Sequence, residues 1–194
     1  MADYTALVEA GNALVELLRD RLTPEPISNR ELISLCSPYE NENNQLTVYL
    51  FHLEEESQGS LQGYQPVSRD MERMRPTEMT ANFLITAHSK APAQMREADQ
   101  YRMMGAAIQA VKDMPILEEP FLSGSLAEES ARLRLNVERP NMDQMMKIWN
   151  NNSKPYKLSI VVRVSGISIE SKRTRRIRRV TDVQIGTSQR RDGE

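Results

Sequence analysis

The residues able to do chemistry are few and scattered. The 194-residue chain holds two histidines, His52 and His88, and one cysteine, Cys36. None has a second His or Cys at metal-ligand spacing, so a zinc site of any common ligand set would need carboxylates brought from elsewhere. His52 closes an apolar run and reads as structural or solvated. Cys36 ends Leu32-Ile33-Ser34-Leu35-Cys36 with nothing basic beside it to lower its pKa. It reads as a small buried hydrophobe rather than a nucleophile. The acidic groups Glu54-Glu55-Glu56, Glu118-Glu119 and Glu128-Glu129 lie in polar segments. A carboxylate needs a desolvated pocket to gain a working pKa, so these read as solvated faces. Gly59 and Gly63 are isolated, no GxGxxG or GxxxxGKS pattern occurs, and Ser123-Gly124-Ser125 reads as a turn rather than a nucleophile elbow. No catalytic, cofactor-binding or metal-binding residue is expected, and an enzyme is set aside.

The concentrated signal is charge. Residues 172–179 read Lys-Arg-Thr-Arg-Arg-Ile-Arg-Arg in a chain whose formal net charge is −2, so the remainder is acidic. Lys172, Arg173, Arg175, Arg176, Arg178 and Arg179 flank Ile177 and lead into Val180, Thr181, Val183 and Ile185, which are β-branched and show no helical period. Such a segment gains most by adding to an open sheet edge elsewhere. A frayed tail is the plain alternative. Phosphates also attract such a run, which makes a basic-armed nucleic-acid-binding module the second reading. The acidic body, and the lack of aromatic residues among the basic ones to stack on bases, count against it. A second cationic group, Arg69, Arg73 and Arg75, sits beside Asp70 and Glu72 in the polar segment 57–78. It reads as a solvated loop or as one that orders on meeting a neighbouring subunit.

These residues need a body to hold them. At 39% hydrophobic and 27% charged, the chain has the composition of one ordinary soluble domain. A domain of this size buries roughly 70% of its unfolded surface. No apolar run approaches the roughly 18 residues of a membrane span, and the N-terminus has no signal-peptide pattern. One cysteine excludes an internal disulfide and suits a reducing cytoplasm.

Residues 4–22 place Leu7, Gly11, Leu14, Val15, Leu18 and Leu22 on one helical stripe, with Asp3 positioned to cap and Thr23-Pro24-Glu25-Pro26 as the stop. Leu32–Cys36 is a short strand. Leu46–Leu53 is apolar on both faces, as a central strand covered on each side would be. Residues 57–78 then form a long polar loop. Met79–Ala87 alternates, with Ala81, Phe83, Ile85 and Ala87 on one face. Pro92 opens a helix to about Met114 whose inner side is Ala98, Tyr101, Met104, Gly105, Ile108, Val111 and Met114; Gly105 marks a close approach to the sheet. Leu133, Leu135 and Val137 alternate in a half-exposed strand. Asn141 and Gln144 have capping-box spacing, and Met142, Met145, Met146 and Trp149 make one apolar face behind them. The run from Asn150 to Pro155 ends that helix. From Tyr156 the period is two, with Leu158, Ile160, Val162 and Val164 on one side and Lys157, Ser159, Val161 and Arg163 on the other. The expected fold is α/β (α+β), a single domain with a mixed sheet of about five strands and three or four helices. Residues 1–171 form the domain and residues 172–194 an extended C-terminal β-arm.

The order of these pieces resembles the tail-terminator, or cap, proteins of phage-tail-like contractile injection systems of the antifeeding-prophage and virulence-cassette type. The matching stretches are LTVYLFHLEE at 46–55, NFLITAHSK at 82–90, ADQYRMMGAAIQAVKDMPIL at 98–117 and MMKIWNNNSKPYKLSIVVRVSGISIES at 145–171. Trp149 followed by Lys154-Pro155-Tyr156-Lys157-Leu158-Ser159 is the most specific. The segment 57–78 is longer and richer in arginine than the family pattern. The chain also stops short of some members, so a further C-terminal module is expected to be absent. The resemblance implies a hexameric ring on the end of a finished tube and sheath that halts polymerisation and locks the last sheath layer. Its partners would be its own copies, the sheath protein and the inner tube protein, with no nucleic acid or membrane required. It would assemble in the bacterial cytoplasm and then form part of the particle, inside or outside the cell. Sheath subunits of such particles are knitted by exchanged terminal strands, and the stretch from Ile177 to Ile185 would supply the terminator's own.

Overall fold

Two adjacent strands of period two and near-equal length set the architecture. A computed structural model of the chain describes residues 3–40, 43–56, 63–150 (Asn150 as backbone only) and 155–177. In it β5 (Thr77–Ala87) and β8 (Ser159–Ile169) pair antiparallel along almost their whole length. They are the middle of a six-stranded sheet ordered β1-β2-β5-β8-β7-β6. β1 (Ile33–Leu35) runs parallel to β2 (Leu46–Glu55), and every other pairing is antiparallel, including β7 (Leu133–Glu138) with β8 and β6 (Ile116–Leu117) with β7. Gly166, at φ +85°, lies where the β5–β8 register shifts, so β8 kinks there and continues to Ile169.

The two faces of this sheet are covered unequally. α1 (Ala6–Leu22), α2 (Ala93–Asp113) and the short α3 (Gly124–Glu128) share one apolar cluster with Phe83, Ile85, Leu133, Val162 and Val164. Leu84 and Val161, one residue out of phase and so on the opposite face, pack with Met145 and Trp149 of α4 (Met142–Asn150). α4 begins with the reciprocal bonds its sequence calls for: Gln144 N–H donates to Asn141 Oδ1 at 2.8 Å, and Asn141 N–H to Gln144 Oε1 at 3.0 Å. Only half of its apolar stripe is used. Met145 and Trp149 are buried, while Met142 and Met146 face out.

Four expectations are corrected. The segment 57–78 is not a loop throughout. β2 extends to Glu55, and β3 (Tyr64–Ser68) and β4 (Met71–Met74) form a hairpin that turns at Arg69-Asp70. Its polar, proline-containing strands hid it, because it is completed by a strand distant in sequence. That strand is β9 (Thr174–Arg176), which pairs antiparallel with β4 in a three-stranded sheet β3-β4-β9. The chain therefore does not leave the domain at Lys172; residues 174–176 are the edge of a sheet in the same molecule. β2 lies second from the edge, and its burial fades from Tyr49 onward, because β1 accompanies only its first three residues. On α2 the buried stripe is Met103, Met104, Ala107, Ala110 and Val111; Tyr101 and Gly105 face solvent, and a Cβ at Gly105 would meet nothing within 4 Å. Small alanines, not the larger Tyr101 and Ile108, let α2 lie close against α1. The mixed α+β single domain stands, with six strands in the main sheet, three in the second and four helices.

Candidate functional site

The two cationic groups singled out in the sequence meet on the small sheet. Arg69, Arg73 and Arg75 belong to or border the β3–β4 hairpin, and Arg173, Arg175 and Arg176 belong to or border β9. Register sets the faces. Arg175 is opposite Glu72, which is opposite Pro66, with Tyr64 on the same side. The Arg175 guanidinium lies 2.8 Å from Glu72 Oε2 and 4.1 Å from the centroid of the Tyr64 ring. On the other face Arg73 Nη1 donates to Glu170 Oε2 at 2.5 Å, with both side chains about three-quarters buried. Main-chain bonds close the edges: Met74 N–H to Arg173 O at 2.9 Å, Ile177 N–H to Asp70 O at 3.1 Å and Arg75 N–H to Gly63 O at 3.0 Å. Lys172 stands apart, 3.8 Å from Asp3 and 5.7 Å over the Tyr4 ring. Arg69, Arg75, Arg173 and Arg176 are exposed. Arg178, Arg179, Val180, Val183 and Ile185 lie outside the described residues.

Sequence reasoning found the arginines but not their partners. Glu170 and Tyr64 gave no signal, and Glu72 stood out only as a neighbour of Arg73, because cross-strand pairing is set by a register that only the folded chain reveals. A two-stranded hairpin is marginal in water, so β9 helps to hold β3 and β4 together and they hold β9.

The motif from Trp149 to Ser159 has a structural role on the other side of the molecule. Trp149 packs edge-on to Tyr39 and Tyr156, with ring centroids 5.2 and 6.0 Å apart. The Tyr39 hydroxyl donates to the Ile148 carbonyl at 2.6 Å. Lys157 Nζ lies 3.1 Å from His88 Nδ1. The ammonium can only donate, so His88 carries its proton on Nε2, 3.0 Å from Thr47 Oγ1. Burial first, and the Lys157 charge second, push the His88 pKa down to about 4. A neutral histidine wedged between a threonine and an ammonium is a strut between β2 and the segment that leads into β8. Cys36 is half-buried, with Asn44 Nδ2 3.4 Å from its sulfur. Among the described residues no group of three or more His, Cys, Asp or Glu side chains could hold a metal ion, and no helix is long and apolar enough to cross a membrane.

The sequence profile of the Pvc16 N-terminal domain matches residues 9–182. The chain belongs to that family. The bounds of the match enclose the hairpin, β8 and β9. Among solved structures, the chain is similar to the sheath/tube terminator of the PVC extracellular contractile injection system in its extended state. The TM-score is 0.68 at 16% identity, over 97% of this chain and 65% of that one. It is also similar to the tube-terminating cap of the anti-feeding prophage, with a TM-score of 0.58 at 15% identity, over 93% of this chain and 61% of that one. The chain thus spans less than two thirds of either structure's length. No curated protein matches it. The resemblance drawn from residues 46–55, 82–90, 98–117 and 145–171 is borne out in family and in fold.

Proposed function

We propose that this protein is a structural cap of a contractile injection particle. It sits as a ring, six copies in the simplest case, on the end of the inner tube and sheath and ends their polymerisation. The observation that carries the reading is the family match over residues 9–182, supported by a fold shared with two terminators. None of these findings favours the nucleic-acid-binding alternative. The role needs binding surfaces and no active site, and it is played out wherever the particle is assembled and then carried.

In this reading the basic segment is the tether. Lys172 lies against Asp3 and Tyr4, and residues Arg173 to Ile177 are anchored on the hairpin, with Arg69, Arg73 and Arg75 around them. From Arg178 through Arg179, Val180, Val183 and Ile185 the chain supplies a strand to the topmost sheath layer, its arginines suiting an acidic surface. Expressing the protein without residues 178–194 in cells that build the particle tests this. The expected result is a folded protein and particles of irregular length; particles of normal, fixed length would remove the tether from the mechanism. The full-length protein should be found at one end of the particle and nowhere else.

A further inference from the structure

β2 carries an unfinished edge. β1 accompanies it only over Leu46–Val48, and the last bond on that side runs from Cys36 N–H to the Val48 carbonyl at 3.0 Å. β5 follows the opposite edge all the way to Glu55. Among the described residues no strand pairs with the outer edge from Tyr49 to Glu55. Main-chain groups alternate along a strand, so Leu50 is the next residue after Val48 to turn its N–H and C=O outward. At the far end Glu56 N–H bonds to Glu78 O, so Glu55 and Leu53 also face out. The other edges are blunted: β1 has three residues, β6 two, β3 contains Pro66, and β9 is three residues long and basic. The β2 edge has only a bulge between Leu50 and His52. Where β1 stops, an apolar cleft of about 420 Å³ opens between Leu7, Leu35, Tyr49, Leu50 and Phe83. The edge thus grades from apolar at Tyr49, Leu50 and Phe51 to acidic at Glu54–Glu56, where Glu54 is shared with His52 and Arg163 and Glu56 accepts Thr80 Oγ1.

We propose that this edge accepts residues 178–185 of a second copy of the chain, added antiparallel to β2. The donor is eight residues long, enough to run from Tyr49 to Glu56, one residue past the end of β2. Antiparallel addition sets Arg178 and Arg179 beside Glu54–Glu56, and Val183 and Ile185 beside Phe51 and Tyr49 on the face that carries Tyr39 and Trp149. The parallel alternative sets the arginines against the apolar end and Ile185 against three carboxylates. The donor comes from another copy because of where β9 points. Ile177 is bonded to Asp70 at the tip of the hairpin, about five residues or ~17 Å beyond the Gly63–Arg75 base from which the chain returns to β5. The segment that follows therefore starts at the end of the hairpin far from β5, which favours a neighbouring copy as the acceptor. Donor and acceptor are different surfaces, so copies join head to tail, the kind of contact that closes into a ring. This rests on the ring reading above and gives it a joint: copies are linked through the segment until the sheath competes for it.

The test uses the purified full-length protein with neither tube nor sheath. Native mass should show association that is lost when the chain ends at Ile177. Glu55→Arg alone and Arg179→Glu alone should each weaken association on the order of tenfold, and the two together should restore it. In a Cys36→Ser background, Leu53→Cys protein mixed with Thr181→Cys protein should form disulfide-linked pairs. A wild type that stays monomeric at all concentrations, association unaffected by removing residues 178–194, or a swap that fails to rescue each overturns the proposal. Fixed-length particles built by a Glu55→Arg protein that is monomeric alone would sink this joint and leave the cap standing. Association through this edge with no effect on particle length would keep the joint and remove the cap.

Discussion

Gly124 and His88 show how single residues hold the domain together. Gly124 starts α3 at φ +61°, and a Cβ there would lie 2.5 Å from a Glu9 carboxylate oxygen. That carboxylate accepts Ser125 Oγ at 2.8 Å and Leu126 N–H at 3.0 Å, tying α1 to α3. Gly124→Ala combines left-handed backbone strain with displacement of Glu9, for an expected loss of about 2–3 kcal/mol in chemical denaturation. His88 sets a pH dependence. Its folded pKa, about 4, lies below the unfolded value of about 6.5, so on acidification the unfolded chain takes up the proton first. Its contribution is complete above pH ~6.5 and lost as pH falls toward ~4, on the order of 2 kcal/mol after allowing for solvent near the ring. Denaturation midpoints measured from pH 7 to pH 4 should fall along this curve. His88→Gln should flatten the part that His88 contributes.

Helices and strands differ in how openly they declare themselves. α1, the cap of α4, and the alternation of Ala81, Phe83, Ile85 and Ala87 follow from local periodicity and capping, which lie within a few residues in the sequence. α2 satisfies two overlapping stripes, and the larger side chains pointed to the wrong one. Its buried face is decided by how closely Ala107 and Ala110 let it approach α1, which is a tertiary matter. Ala107→Leu should therefore cost about 1–3 kcal/mol by overpacking, whereas Tyr101→Ala, at a side chain 60% exposed, should change stability by less than about 0.5 kcal/mol. Thermal melts of the two variants side by side decide between the stripes. The hairpin was illegible for a further reason. Tyr64, Val67, Met71 and Met74 are spaced loosely, and Arg175 and Glu170 lie about a hundred residues away. The arginines of the candidate site could be picked out as charge, but their convergence on one sheet needed β9 to be placed.

At the scale of the molecule, the six-stranded sheet and its helices build both apolar clusters from residues that precede β9. The buried residues of the large cluster run from Ala6 to Ile167, and those of the cluster under α4 from Leu84 to Val161. The truncation ending at Ile177 is expected to keep the full-length melting temperature within about 2 °C, as calorimetry can show. Ending the chain at Ser171 should expose the hairpin and speed amide exchange along Tyr64–Met74, because β4 then loses β9.

The way β9 is seated also fixes how load passes through the protein. It lies antiparallel to β4 with its exit at the hairpin tip, so tension on the chain past Ile177 runs along the strand axis. The bonds at Met74–Arg173 and Asp70–Ile177 and the ladder between them are then strained together in shear, not peeled one after another. What reaches Glu170 passes into β8, at the middle of the large sheet, with the Arg73 contact as a second path into it. Any pull on that end is therefore met by the long central pair β5–β8 and not by the hairpin alone.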